Sequence, residues 1–362
     1  MPKITETPAL KENLVRNCFS RGGYSYATKA MEIAREAGYT NPARLASNEN
    51  PLPPSPLALK KAGEALAQAN RYPPESLSSL QCALQRVYGD YSFAIGSGMD
   101  GVIETVVRVL VDPGERVVIA TPTFSFYGMA ATAQGASIIS LPRKREDFSV
   151  DVEAFIHACR GAKLAFLCSP NNPTGTLTPP GQVKEILESI EGMLFLDCAY
   201  VEFSSCDYTP LIREYENLII GRTMSKIYSL AGLRLGYAFM PDWLLPYYER
   251  AATPFAVNVV TAAAAEGALA DREHVKKSQE HVRFWRERIR NSVRFPTYPS
   301  EANFILVDVS PYTGDEAMER CAKKGVLVRS CTSFPMLGDH FIRVSIGDAW
   351  ENERFLEVID QI

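Results

Sequence analysis

Between residues 91 and 240, short unbroken apolar runs alternate with segments of helical period. FAI, RVVIA, SIISL, AKLAFLCS, GMLFLD, NLIIGRT and RLGYAFM read as strands, whereas VIETVVRVL and PPGQVKEILESI read as helices. Apolar strands with no polar alternation, separated by helices and punctuated by DPG and NNPTG turns, predict an α/β fold: a mostly parallel central sheet sandwiched by helices. After about residue 255 the pattern changes. One long helical region is expected from Asn258 to about Arg290, then short strands (NFILVDV, VLVRS, FIRVSIG) alternating with the helices DEAMERCAKK and ENERFLEVI. That suits a smaller α+β domain. The expected division is an N-terminal arm over 1–45, built around YATKAMEIAREAG and packed beside the small domain, a large domain over 46–255 and a small domain over 256–362.

Composition narrows the function. The chain has 362 residues, 46% of them hydrophobic, enough for a sizeable core. Its 38 Lys and Arg nearly balance 42 Asp and Glu, and no polybasic run appears, so a nucleic-acid surface is not expected. The eight cysteines never form a CxxC pair, which removes zinc-ribbon and thioredoxin-type readings and suggests reduced, partly buried thiols. His157, His274, His281 and His340 have no ligand spacing, and no metal is expected. The opening MPKITETPALKENLVRN carries charges where a signal peptide needs an apolar stretch. The Ala-rich run from Val257 to Ala270 is interrupted by Asn258 and Glu266. A cytoplasmic protein with no membrane span is the expectation.

Four segments carry candidate chemistry. GSGMDG (96–101) follows an apolar strand and precedes a helix, as a dinucleotide fingerprint would, but RVVIATPTFSF offers no acidic residue for a ribose. What remains is a phosphate turn, with backbone N–H groups at a helix N-terminus near Asp100, or a plain turn before a helix. SPNNPTG (169–175) follows a buried strand, and DCAYVEF (197–203) ends one with an aspartate; either read alone is an ordinary turn or cap. In RTMSKIYSLAGLRLGY (222–237) one lysine, Lys226, sits among small hydroxyl residues, eight positions before Arg234. A lysine in apolar surroundings is costly unless paired or chemically used.

The order of these loops is phosphate turn, Asn before PTG, Asp with Tyr three residues on, then Ser, Lys and Arg. It resembles the class I and II aminotransferases, fold-type I enzymes that use pyridoxal phosphate. ASNENPLPPSP (46–56), RYPP (71–74), SPNNPTG, RTMSKIYSLAGLRLGYAF (222–239) and FIRVSIG (341–347) are similar to the histidinol-phosphate branch of that family, and the likeness runs from about residue 20 onward. The resemblance implies that Lys226 bonds the cofactor aldehyde and later shuttles a proton, while Asp197 keeps the pyridine nitrogen protonated. Tyr200 and Asn172 would hydrogen-bond the ring oxygen, and Phe124 would stack on the ring where tyrosine is common in the family. Met99, Asp100, Thr223, Ser225 and Arg234 would hold the phosphate, with Tyr72 reaching it from the partner of a homodimer. Arg343 and Arg329 would bind the acid groups of substrates, glutamate or 2-oxoglutarate and a phosphorylated amine in turn, and Tyr24 would close over them. The implied reaction converts histidinol phosphate and 2-oxoglutarate to imidazole acetol phosphate and glutamate. Threonine-phosphate decarboxylation and aromatic amino-acid transamination are the alternatives, with Glu49 in ASNENP favouring the first reading. A catalytically silent scaffold on this fold would be expected to lack Lys226 or Asp197.

Overall fold

The structure is a computed structural model that describes residues 14–19, 23, 28–74 and 76–362. Its strands, in chain order, are β1 (Ala43–Leu45), β2 (Phe93–Ser97), β3 (Arg116–Thr121), β4 (Ser137–Pro142), β5 (Leu164–Cys168), β6 (Met193–Asp197), β7 (Leu218–Thr223), β8 (Leu235–Phe239), β9 (Phe304–Asp308), β10 (Val326–Ser330) and β11 (Phe341–Ser345). Seven of them form one sheet in the order β2-β8-β7-β6-β5-β3-β4, in which only β8 runs against its neighbours. The sheet is mostly parallel, as the apolar runs predict.

Every residue of β5 and β6 is buried. Successive side chains point to opposite faces, and the burial divides accordingly. Val118, Leu194, Leu196 and Ile220 join one apolar cluster, while Val117, Ile119, Phe166, Phe195 and Ile219 join another. Each such side chain contributes about 1.5–3 kcal/mol on full burial. Two covered faces leave water access only at the strand ends. A polar side chain at a carboxyl end therefore has a reason to be there.

The second sheet has the order β1-β10-β11-β9, with β1 parallel to β10 and the other pairs antiparallel. Strand β1 was not foreseen: three residues with a buried-exposed-buried pattern are too short to display a period. The single helix expected from Asn258 to about Arg290 is two helices, Val259–Ala270 and Arg272–Ser292, because Asp271 ends the first and its side chain caps the second by accepting from His274 N–H at 3.1 Å. Val259–Ala270 packs on the helices Pro56–Leu66 and Ser78–Tyr88, whereas Arg272–Ser292 reaches β9 and the last helix, Ala349–Ile359. The stretch YATKAMEIAREAG contributes the helix Thr28–Glu36, which packs on Gly314–Ala322 and β10.

Candidate active site

Strands β5 and β6 end in register, with Cys168 beside Asp197, and β7 has Gly221 beside Asp197 and ends two residues further on. The turns that follow them are thereby brought to one place. They form a cleft of about 300 Å³ between the large sheet and β10–β11. Met99 and Asp100 enter it from the helix after β2, Phe124 from the turn after β3, and Asn172, Asp197 and Tyr200 from the ends of β5 and β6. Thr223 ends β7, Ser225, Lys226 and Arg234 follow it, and Arg329 and Arg343 line the cleft from the small sheet. Tyr72 does not line the cleft of its own chain and is 80% exposed, and Tyr24 lies outside the described residues.

The GSGMDG turn is a tight piece of backbone. Gly98 has φ +72° and donates its N–H to the Arg234 carbonyl at 2.9 Å; a Cβ there would lie 2.7 Å from Arg234 Nη2. A Cβ on Gly236 would lie 2.4 Å from the Met99 nitrogen. Glycine at both positions lets β8 press against the start of the helix Gly98–Leu110, whose free N–H groups and dipole attract an anion. Arg234 adopts φ +54° and is anchored by Asp100 Oδ2 at 2.9 Å and the Ala231 carbonyl at 3.2 Å. The Thr223 hydroxyl accepts from Ser225 N–H at 3.1 Å, fixing the turn that precedes Lys226. The strands on either side of this helix, β2 and β3, lie far apart in the sheet, and β2 pairs only with the antiparallel β8, so this GxGxxG does not sit in a βαβ unit of adjacent strands.

Asp197 is only 4% exposed. Its Oδ2 accepts from the Tyr127 hydroxyl at 2.5 Å and its Oδ1 from Ala199 N–H at 2.9 Å. Burial outweighs both bonds and raises the carboxyl to about 6. Among the described residues no basic side chain pairs with it. Lys226 is partly buried, donates to the Ser47 carbonyl at 3.3 Å and lies 5.8 Å from the centre of the Tyr200 ring. Burial first, then the charges of Arg343 and Arg234, lower its ammonium to about 8, against the opposing pull of Glu49. A neutral amine is thus accessible near physiological pH.

Arg343 is 6% exposed, and its fork is only partly used. Nη1 donates to Asn172 Oδ1 and Nη2 to the Ala46 carbonyl at 2.7 Å, but Nε has no partner among the described residues. Arg329 stands directly opposite in the β10–β11 register and donates to Ser333 Oγ at 3.2 Å. Like charges opposite one another destabilise a sheet, and a bound anion reverses that penalty.

Several contributors escaped the sequence reading. Tyr127, fully buried and stacked on Phe166 at 4.7 Å, has no motif pointing it at Asp197; it arrives there from the helix Phe126–Gln134. Asn48 donates Nδ2 to the Tyr200 hydroxyl at 3.2 Å, while its N–H donates to Ser345 Oγ at 2.8 Å and its Oδ1 accepts from the Ser345 hydroxyl at 3.0 Å. Its only sequence signal is its place in ASNENP. Cys168, Ser47 and Glu49 also line the cleft.

The residues present suit pyridoxal phosphate, the group the resemblance implies. A phosphate suits the Gly98 helix end with Thr223, Ser225 and Arg234. A protonated ring nitrogen supplies the cation that Asp197 lacks, and Phe124 offers a flat apolar face. Lys226 supplies an amine for an aldehyde.

Comparison with known proteins agrees with this geometry. The family model for aminotransferase class I and II matches residues 40–359. A histidinol-phosphate aminotransferase of Methanoculleus marisnigri is 64% identical over 350 residues, 96% of this chain and 99% of the relative. Another, from Methanosphaerula palustris, is 58% identical over 342 residues, 94% and 96% of the two chains. The crystal structure of histidinol-phosphate aminotransferase from Sinorhizobium meliloti in complex with pyridoxal-5'-phosphate superposes with a TM-score of 0.86 at 25% identity, covering 96% of each chain. The chain belongs to the class I and II aminotransferases.

Proposed function

We propose that this chain is a pyridoxal-phosphate-dependent histidinol-phosphate aminotransferase of histidine biosynthesis, exchanging an amino group between histidinol phosphate and 2-oxoglutarate. The observation that carries the reading is one cleft holding a buried carboxylate, a lysine lowered to about 8 and a buried arginine with an unpaired N–H. Its substrate rests on relatives of that name at 64% and 58% identity over nearly the whole chain.

When bound, pyridoxal phosphate supplies an aldehyde for amine exchange and a protonated ring that accepts the electron pair left on the substrate α-carbon. Lys226 Nζ would hold that aldehyde and, as a neutral amine, would take the substrate α-proton and give it back. Asp197, oriented by Tyr127 and Ala199 N–H, holds the proton on the ring nitrogen. Tyr200, aimed by Asn48, and the amide of Asn172 orient the ring oxygen. Met99, Asp100, Thr223, Ser225 and Arg234 hold the phosphate. Arg343 receives the glutamate carboxylate and the substrate phosphate in turn, with Arg329 as a second ligand.

The same reading makes the working unit a homodimer in which Tyr72 serves the partner's cleft, which fits its distance from its own. It takes 46–255 as the large domain, 256–362 as the small one and 1–45 as the arm whose strand β1 completes the small sheet. A cytoplasmic setting is proposed from eight free cysteines. Among the described residues, no helix is long and apolar enough to cross a membrane.

The purified protein, supplied with histidinol phosphate and 2-oxoglutarate, is expected to release glutamate. Carbon dioxide release from threonine phosphate, with no glutamate formed from histidinol phosphate, overturns the assignment in favour of the decarboxylase.

A further inference from the structure

We infer that Phe255 is a positioning residue that holds Tyr72 ready for the cleft of a second copy of this chain. The inference rests on the cross-subunit reading of Tyr72 and adds the side chain that makes it work.

Two aromatic rings from distant parts of the sequence meet outside the core. Tyr72 is 80% exposed and Phe255 48%, yet their rings stack at 4.8 Å with 27° between planes. Hydrophobic burial within one chain does not explain so exposed a pair. The backbone adds a second observation. Thr253 to Ala256 form a four-residue turn closed by Ala256 N–H on the Thr253 carbonyl at 3.3 Å. Pro254 and Phe255 are its central residues, and Phe255 has φ +56°. Turns with a proline first and a positive φ second ordinarily place glycine second, because a Cβ there is strained. Here a bulky ring occupies the glycine position, and that ring is the one lying against Tyr72.

The turn itself is fixed on one side by the helix Leu245–Ala251 and on the other by Val259–Ala270, whose Asn258 cap accepts from Thr261 N–H at 2.9 Å. Tyr72 precedes Pro73, which confines it to an extended backbone. A rigid ring stacked on a rigid segment limits the rotamers of Tyr72 before its hydroxyl meets a ligand. Ordering a side chain in advance raises affinity by removing that entropy cost from binding.

The test measures the dissociation constant of pyridoxal phosphate from the dimer, at concentrations where sedimentation gives every variant the same mass. Tyr72→Phe and Phe255→Gly are each expected to weaken it about fivefold to tenfold, and the double variant no further, since the two residues act as one unit. Phe255→Gly relieves the strained φ, so its thermal stability should not fall, and Phe255→Tyr should restore affinity. Hybrid dimers give a readout that a local structural defect would not move. Paired with a Lys226→Ala subunit, a Phe255→Gly subunit keeps a cleft served by an intact Tyr72–Phe255 pair, and that cleft should retain full turnover at limiting cofactor. Unchanged affinity in Tyr72→Phe overturns the cross-subunit role and this inference with it. A loss in Tyr72→Phe without one in Phe255→Gly, or a hybrid cleft as weak as the Phe255→Gly dimer, overturns the positioning role alone.

Discussion

The two walls of the cleft bury charge in opposite ways. On the large-sheet wall, Asp197 has both oxygens engaged, by Tyr127 and by Ala199 N–H, and lacks only a counter-charge. On the small-sheet wall, Arg343 lacks a hydrogen-bond partner at Nε among the described residues and stands opposite Arg329 across the strand pair. The first wall is geometrically finished and electrostatically tuned, as a group that must hold one ring through many turnovers requires. The second keeps an unused donor, which in the proposed function suits a group that accepts glutamate and a phosphate alternately. In the proposed function, chemistry belongs to the first wall and selection to the second. Substitutions on the first should therefore act on kcat, and those on the second on KM.

Lys226 bears the largest expected effect. Lys226→Ala removes both the cofactor bond and the proton carrier, and turnover should fall by at least about 10³-fold. The absorption band of the lysine-bound cofactor should vanish; a band that survives unchanged removes Lys226 from its role. The lowered ammonium adds a pH signature. The neutral amine is the reactive form, so uptake of pyridoxal phosphate by cofactor-free protein should quicken as pH rises and level off above about 8. A rate still climbing steeply toward pH 10.5, the ordinary lysine value, would place Lys226 in water instead.

Asp197→Asn keeps the shape and removes the charge. Its kcat should fall by about 10²–10³-fold with KM little changed. Cofactor-free protein should show the reverse sign in stability. Burial raises this carboxyl from 3.8 to about 6, so the native state holds the proton more tightly than the unfolded one. The stability this provides is fully present below pH 3.8 and is lost as pH rises through about 6. At pH 7, cofactor-free Asp197→Asn should therefore be more stable than wild type, by on the order of 2 kcal/mol, a gap that closes toward pH 4. Urea unfolding at the two pH values measures it, and a variant less stable at pH 7 contradicts the burial argument.

The same division explains what the amino-acid sequence revealed. The strands of the large sheet and the residues at their ends were legible, because two-sided burial writes unbroken apolar runs and the covalent chemistry admits few residue types. Lys226 and Asp197 are visible for that reason. Tyr127 and Asn48 were not, because each reaches its partner through sheet register and helix placement, which leave no spacing in the chain. The small sheet was legible only in part. Its β10 and β11 were read with their arginines, but β1 is too short to show a period, and Asp271 breaks a helix whose apolar pattern runs on. GSGMDG could be set apart from a dinucleotide fingerprint because the ribose acid is missing, but its sequence left a phosphate turn and a plain turn both open.

Arg343→Met tests the selecting wall. It removes a charge-assisted contact to the substrate anion, so KM for both glutamate and histidinol phosphate should rise by about 10–100-fold while kcat changes little. Asn172 Oδ1 and the Ala46 carbonyl also lose their donors. Arg343→Lys, which keeps the charge without the fork, should recover only part of the loss. A fall in kcat equal to that of Asp197→Asn would erase the distinction between the walls.

Arg329→Gln should have the smallest effect and discriminates most finely. Arg329 is only partly buried, so its charge is screened by water and its contribution to an anion is modest. KM for histidinol phosphate should rise by about threefold, as for an exposed ion pair, and KM for glutamate by less, since a carboxylate already satisfied by Arg343 has fewer oxygens to share. Without a ligand the substitution removes a like-charge neighbour from Arg343 across β10–β11, and the unliganded protein should gain a few tenths of a kcal/mol. The variant is thus expected to be slightly more stable and slightly worse at binding, which steady-state kinetics and thermal unfolding resolve together. If both KM values rise equally, Arg329 serves general attraction of anions; if stability falls, the cross-strand repulsion is not what leaves this wall unfinished.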